Sequence, residues 1–294
     1  MTSSPSSSNQ PLHILVSNDD GIDAPGLAAL VEALHSVGRV TVVAPARERS
    51  AVGHAISVYN DLMLHKKYSE DGTLFGYALD GTPADCVKWA VTTLLRDDPA
   101  DLVVSGINWG QNIGNNIIYS GTVAAAREGA MFGIPSMAVS LSALRSETPH
   151  FMTAAAFAAQ LAPLLKEVHL PPGVLLNVNV PNLPRHQVQG IVVSRMGKAM
   201  FLDEFEIAGD KAEFVAVRNV GKRFLPTEGG AEDHDDQVLQ ANKISITPLQ
   251  YDLTHHDYRR ELERWLMNRL DGFNAEPLSR AAGELSRRLS EKAF

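Results

Sequence analysis

The sequence predicts an α/β fold, a mostly parallel sheet flanked by helices, with an appended β-rich element and a C-terminal helix. Three observations point there. Between His13 and Leu141, short β-branched apolar runs alternate with longer segments of helical period, the order that parallel strands and crossover helices impose. The strand candidates 13–17, 40–44, 102–105 and 136–140, with 174–180 as a fifth, are apolar on both faces, as strands sandwiched between helices must be. After Val180 the pattern changes to scattered strands near 191–194, 213–218 and 243–247, separated by loops rich in Gly, Pro and acidic residues.

The helices follow from period and start signals. Pro25-Gly26 opens the first, with Leu27, Leu30, Val31 and Leu34 on one face and Pro25 suited to a first turn. A second begins near Pro83 and carries Val87, Val91, Leu94 and Leu95. A third begins near Thr122, where Ala124 to Ala126 permit close approach to a sheet, and a fourth spans 151–166. Residues 257–270 read as an amphipathic helix with Leu262, Trp265, Leu266 and Leu270 on its apolar stripe, suited to docking on a partner subunit. The expected organisation is a disordered polar lead over 1–11, an α/β core over 12–182 carrying the site, and a β-rich extension with a helical tail over 183–294 that oligomerises.

Composition excludes several function classes. Twenty-six basic residues against 34 acidic ones give a formal charge of -8, which disfavours a polymeric nucleic acid as partner, because that partner needs a basic field. The apolar runs break within about ten residues, short of the roughly 20 that a spanning helix needs, so no membrane partner is expected. The one cysteine, Cys86, offers neither a disulfide nor a zinc pattern and sits among Val87, Trp89 and Ala90, which suggests a core residue and a reducing cytoplasm.

The strongest local signal is Ser17-Asn18-Asp19-Asp20-Gly21, where the first strand ends and where open α/β sheets build their sites. Adjacent carboxylates resist joint ionisation unless a cation compensates them, so a divalent metal explains the pair economically; an ordinary polar turn explains it equally well. A HAD-type phosphatase, which forms an aspartyl-phosphate, places its nucleophile and acid/base Asp two positions apart, whereas here they are adjacent, which argues against that intermediate. After the second strand, Arg47-Glu48-Arg49-Ser50 offers a hydroxyl ligand and two arginines, which either meet phosphate or pair within a solvated loop. The third strand runs into Gly106-Ile107-Asn108-Trp109-Gly110, placing Asn108 beside the same edge. Two carboxylates, a hydroxyl and an amide oxygen form the all-oxygen shell that magnesium or manganese prefers. Ser120-Gly121-Thr122 sits at a helix start, serving as cap and phosphate cradle together.

These segments, with Gly81-Thr82-Pro83-Asp85 and Ser245-Ile-Thr-Pro-Leu249, resemble the survival protein SurE family in order and spacing from about residue 13 to 254. The resemblance implies a Rossmann-like core and metal-dependent phosphomonoesterase activity on nucleoside 5'- and 3'-monophosphates, in some members with exopolyphosphatase activity. It further implies one divalent ion, Mg2+ or Mn2+, per subunit on Asp19, Asp20, Ser50 and Asn108, and assembly as a homodimer or homotetramer. Asn18, Gly53, Gly106, Ser120, Gly121 and Thr122 fall in the family's surrounding site; His54, the nearest histidine, is either a proton donor to the leaving group or, as a lone loop histidine more often is, structural or exposed. The chain departs from the family at Asn115-Asn116, where acidic residues are frequent, and at Asp233-His234-Asp235-Asp236, which loosely matches a Thr-Asp-Phe pattern.

On this reading Asp19 or Asp20 orients or deprotonates the attacking water. Trp109 and Tyr119 either stack on a nucleobase or cover the core, and His255 and His256 read as capping residues rather than a metal pair. The competing class is a non-catalytic nucleotide sensor, weakened by the missing GxGxxG after the first strand.

Overall fold

The computed structural model describes residues 11–211, 214–229 and 232–267. The expected N-terminal lead, but for its last residue, and the tail beyond 267, including Leu270, lie outside them. The elements in chain order are β1 (Leu12–Ser17), α1 (Pro25–Leu34), β2 (Gly38–Pro45), β3 (Leu64–Tyr68), β4 (Leu74–Leu79), α2 (Pro83–Trp89), β5 (Leu102–Trp109), α3 (Gly121–Met131), β6 (Ser136–Ser142), α4 (Phe151–Val168), β7 (Val174–Pro181), β8 (Ile191–Val193), β9 (Met200–Lys211), β10 (Phe214–Leu225), α5 (Asp235–Gln240), β11 (Ile244–Gln250) and α6 (His256–Met267).

Nine strands form one sheet in the order β3-β4-β2-β1-β5-β6-β7-β11-β8, and β9 with β10 forms a separate antiparallel pair. From β4 through β7 every pairing is parallel, which is the α/β architecture expected; β3 and β11 run antiparallel to their neighbours β4 and β7. The chain walks outward from β1 to β2 and β4, then returns to β5 and proceeds the other way, so the strand order reverses between β1 and β5. That reversal opens a crevice at the carboxyl ends of these two strands.

Alternation along the strands divides the core. Ile14 and Val16 face α1 and α4 and pack with Leu27, Leu30, Leu34, Ala154 and Ala155. Leu15, Val43 and Val103 face the other way, onto Cys86, Val87 and Ala90. Cys86 is fully buried and burial pushes its thiol well above the usual range, so it is a core residue. The start of α2 is closed by a capping box between Thr82 and Asp85.

Residues past 182 contribute β8 and β11 to the main sheet, leaving the β9–β10 hairpin as the separate β element. A second compact unit starts at Asp252 and contains α6. There His255 Nδ1 accepts from Tyr258 N at 3.1 Å and His256 Nε2 lies 2.9 Å from Asp252 Oδ2, which are capping contacts. No helix among the described residues is long and apolar enough to cross a membrane.

Candidate active site

A cavity of about 320 Å³ lies at the sheet reversal, a size suited to a small ligand. Asp19, Ser50, Asn108 and Ser120 line it together with Trp109, Tyr119 and Arg145. Four expected residues, supplied by the ends of β1, β2 and β5 and the start of α3, thus meet at one place.

Asp19 is the most constrained of them. It is 4% exposed, and Thr122 Oγ1 donates to its Oδ1 at 2.5 Å. Burial pushes its carboxyl up to about 6, the Thr122 hydrogen bond opposes that rise, and neighbouring Asp20 adds to it. Gly121 lets α3 come this close, since a Cβ there would stand 2.8 Å from Asp19 Cβ. Ser120 caps α3 by accepting from Val123 N at 3.1 Å. Asp20 is held differently: its Oδ2 accepts from Trp109 N at 3.0 Å and its Oδ1 from Arg145 Nη2 at 2.7 Å.

The Ser50 loop is pinned by Arg49 N donating to Asp19 O at 2.7 Å, by Gly53 N donating to Tyr119 O at 2.9 Å and by Ser57 N donating to Asp85 Oδ1 at 2.9 Å. Ser50 Oγ donates to Glu48 Oε1 at 2.6 Å, which keeps its lone pairs for a cation. Asn108 Nδ2 donates to Gly110 O at 2.6 Å, leaving Oδ1 as its free ligand atom. Among the described residues no three His, Cys, Asp or Glu side chains gather as a metal-binding group. The donor set at this edge is two carboxylates with neutral oxygens. That set fits a hard divalent ion, and a buried carboxylate with a raised pKa gains most from one.

Several expected ligand contacts take other roles. Asn18 is fully buried and turns back on Gly21, donating to its carbonyl at 2.9 Å and accepting from its N–H at 3.2 Å, so it shapes the turn rather than lining the cavity. Gly106 has φ +140°, and a Cβ would meet Val139 O at 2.3 Å, so it serves the β5–β6 packing. Gly53 has φ +58° and bends the Ser50 loop. His54 Nε2 lies 2.7 Å from Glu128 Oε2, and Lys88 Nζ lies 3.2 Å from Glu128 Oε1. Burial alone would raise Glu128, but these two partners hold it below the usual carboxylate value. His54 is outside the cavity wall, bound to that buried carboxylate. Arg47 and Arg49 both pair with Asp80, at 3.4 and 2.8 Å, which is the solvated-loop alternative.

The cavity also contains residues the sequence reading passed over: Arg145, Gln111, Asn112, Asn116, Phe201 and Asp203. Asn112 is fixed by a buried network, its N–H donating to Asn179 Oδ1 at 2.8 Å and its carbonyl accepting from Asn177 Nδ2 at 2.8 Å. The available signal was Asn177 and Asn179, two polar residues on one face of an otherwise apolar strand. Asn116 Nδ2 is buried and has no partner, leaving a donor at the cavity. Trp109 packs edge-on against Phe151 with ring centroids 5.5 Å apart, whereas Tyr119 is 62% exposed and open to stacking.

Comparison with known proteins agrees with this architecture. The family model "Survival protein SurE" matches residues 14–203. The chain is 41% identical over 257 residues to "5'-nucleotidase SurE" of Carboxydothermus hydrogenoformans, covering 87% of this chain and 96% of the relative. It is 45% identical over 246 residues to "5'-nucleotidase SurE" of Syntrophus aciditrophicus, covering 84% and 91%. The crystal structure of the SurE protein from Aquifex aeolicus superposes with a TM-score of 0.72 at 35% identity, covering 86% of this chain and 99% of that one. With matching motifs, matching fold and coverage of nearly the whole length of these relatives, the chain belongs to the survival protein SurE family.

Proposed function

We propose that this protein is a phosphomonoesterase that hydrolyses nucleoside 5'-monophosphates to nucleoside and phosphate, using one Mg2+ or Mn2+ per subunit held by Asp19, Asp20, Ser50 and Asn108. The observation that carries the reading is Asp19: a buried carboxylate pushed up to about 6, facing a nucleotide-sized cavity beside a hydroxyl and an amide oxygen. The relatives named 5'-nucleotidase support the substrate class.

When bound, the ion neutralises charge on the phosphoryl oxygens and acidifies the attacking water. The protein's share is positioning, which is most of what phosphoryl transfer asks. Asp19 or Asp20 orients the water and accepts its proton. The start of α3, with N–H groups lacking intrahelical partners, receives phosphate oxygens beside Ser120 and Thr122. Tyr119 stacks on the base, and Asn116 Nδ2 supplies a donor to base or sugar.

The same site extends to 3'-monophosphates and short polyphosphate, because recognition centres on the phosphoryl group. The protein works in the cytoplasm as a homodimer or homotetramer, which would cover the exposed Phe205, Ile207 and Val217 of the β9–β10 hairpin. A matrix of Mg2+, Mn2+ and chelator against 5'- and 3'-monophosphates and polyphosphate tests the function. Metal-dependent phosphate release is expected; no turnover with any metal would leave the nucleotide-sensor alternative.

A further inference from the structure

Arg145 is the one cationic side chain among the described residues that line the cavity. It stands three residues past the end of β6, and its loop is anchored on both sides: Leu144 N donates to Glu147 Oε2 at 2.8 Å, and Trp109 Nε1 donates to Leu144 O at 3.1 Å. The guanidinium carbon lies 5.0 Å from the Trp109 ring centroid, a cation–π contact that keeps the head group at the cavity. Its Nη2 is 2.7 Å from Asp20 Oδ1 and 3.6 Å from Glu48 Oε1. The side chain is 57% exposed while that of Asp20 is 8% exposed, so the arginine is the member of the pair free to move.

A phosphate monoester entering this cavity meets Asp19 and Asp203 in its wall, with Asp20 behind Arg145. The ion of the phosphomonoesterase reading offsets part of that charge, and Arg145 is the cation that the cavity wall itself supplies. Lys88 is taken up by Glu128, and Arg47 and Arg49 by Asp80, outside the wall. Both ion contacts of Arg145 use Nη2, so Nη1 and Nε remain available, and a guanidinium can hold two oxygens of a phosphate in a planar fork.

We propose that Arg145 is a ligand for the substrate phosphate, held ready against Asp20 and turned onto the monoester when it binds. The inference rests on the phosphomonoesterase reading and adds a contact from the β6 loop to it. An arginine that grips the non-reacting phosphate oxygens before and during the reaction stabilises ground and transition states alike, so its removal raises KM and spares kcat.

The test compares wild type with R145A, R145Q and R145K by steady-state hydrolysis of nucleoside monophosphates with Mn2+, and by calorimetric titration of inorganic phosphate into the same proteins. Losing charge-assisted hydrogen bonds is expected to raise KM by about 10- to 100-fold and to weaken phosphate binding in parallel. Lysine restores part of the loss, keeping the charge without the fork. Unchanged KM and phosphate affinity in R145A, or a loss confined to kcat, would overturn the assignment while leaving the phosphomonoesterase reading intact. If the wild type hydrolyses nothing, the phosphomonoesterase reading fails, and the phosphate titration still decides Arg145: equal binding by wild type and R145A overturns it, weaker binding by R145A supports it.

Discussion

Replacing Asp19 with Asn removes one charge and keeps the shape, including an oxygen to accept from Thr122 Oγ1. The carboxyl is pushed from 3.8 to about 6, chiefly by burial. A carboxyl whose folded-state pKa lies above its unfolded value stabilises the protein below the unfolded pKa, and that contribution is lost as pH rises through the folded one. Two pKa units correspond to about 3 kcal/mol, so metal-free wild type should be weaker than Asp19→Asn by about that amount at pH 8 and by almost nothing near pH 4. For a unit of this size the gap is about 6–12 °C in melting temperature. The assay is thermal unfolding of both proteins with chelator across that pH range, then with Mn2+. Mn2+ at about a thousand times its Kd should reverse the order, because it adds about 4.1 kcal/mol to wild type, more than the gap, and little to a variant lacking a ligand charge. A metal-free Asp19→Asn that melts no higher than wild type at pH 8, or a gap that does not close on acidification, would refute the reasoning.

Three further outcomes are expected. Gly121→Ala would put a Cβ 3.0 Å from Asp19 Oδ2, costing about 1–3 kcal/mol by overpacking and displacing the carboxylate; melting should fall modestly while nucleotidase kcat falls at least about tenfold. Asp235→Ala strands three buried N–H groups, those of Gly114, Gly197 and Asp236, and denaturant unfolding should register a loss of roughly 3 kcal/mol or more. Cys86, buried with a raised thiol pKa, should react with a thiol reagent in unfolded protein and resist it in the native state, which a timed absorbance assay reads directly.

Five strands of the parallel core, β1, β2, β5, β6 and β7, were legible because they are apolar on both faces, and the first two helices because they carry start signals at Pro25 and Thr82-Pro83; β4, half exposed beside the edge, was not. Strand β3, Leu-His-Lys-Lys-Tyr, escaped because an exposed edge strand has no apolar face to advertise it. Strand β9 escaped because Asp203, Glu204 and Glu206 read as an acid-rich loop, although pairing with β10 turns Asp203 to the cavity and leaves Glu204 and Glu206 together on the other face. Helix α5 begins with two buried aspartates that look like surface residues in sequence; both are consumed as acceptors for backbone N–H groups.

At the site, residues directly after strand ends were legible, because a parallel sheet brings its carboxyl ends together whatever the intervening helices do. Arg145 was not, since it follows β6 by three loop residues and its place depends on Trp109 and Asp20, far away in sequence. Asn18 carried the right residue type for a ligand, but local geometry spent it on the turn. His54 sits in the right loop, yet its partner Glu128 lies 74 residues later and could not be inferred from spacing.

The most direct trial of the account is anomalous diffraction from crystals grown with Mn2+, recorded just above and just below the manganese absorption edge. One ion is predicted per subunit, touching Asp19, Asp20, Ser50 and Asn108 at the β1–β5 reversal. A manganese peak elsewhere in the subunit, or none at a concentration that supports phosphate release, would contradict it.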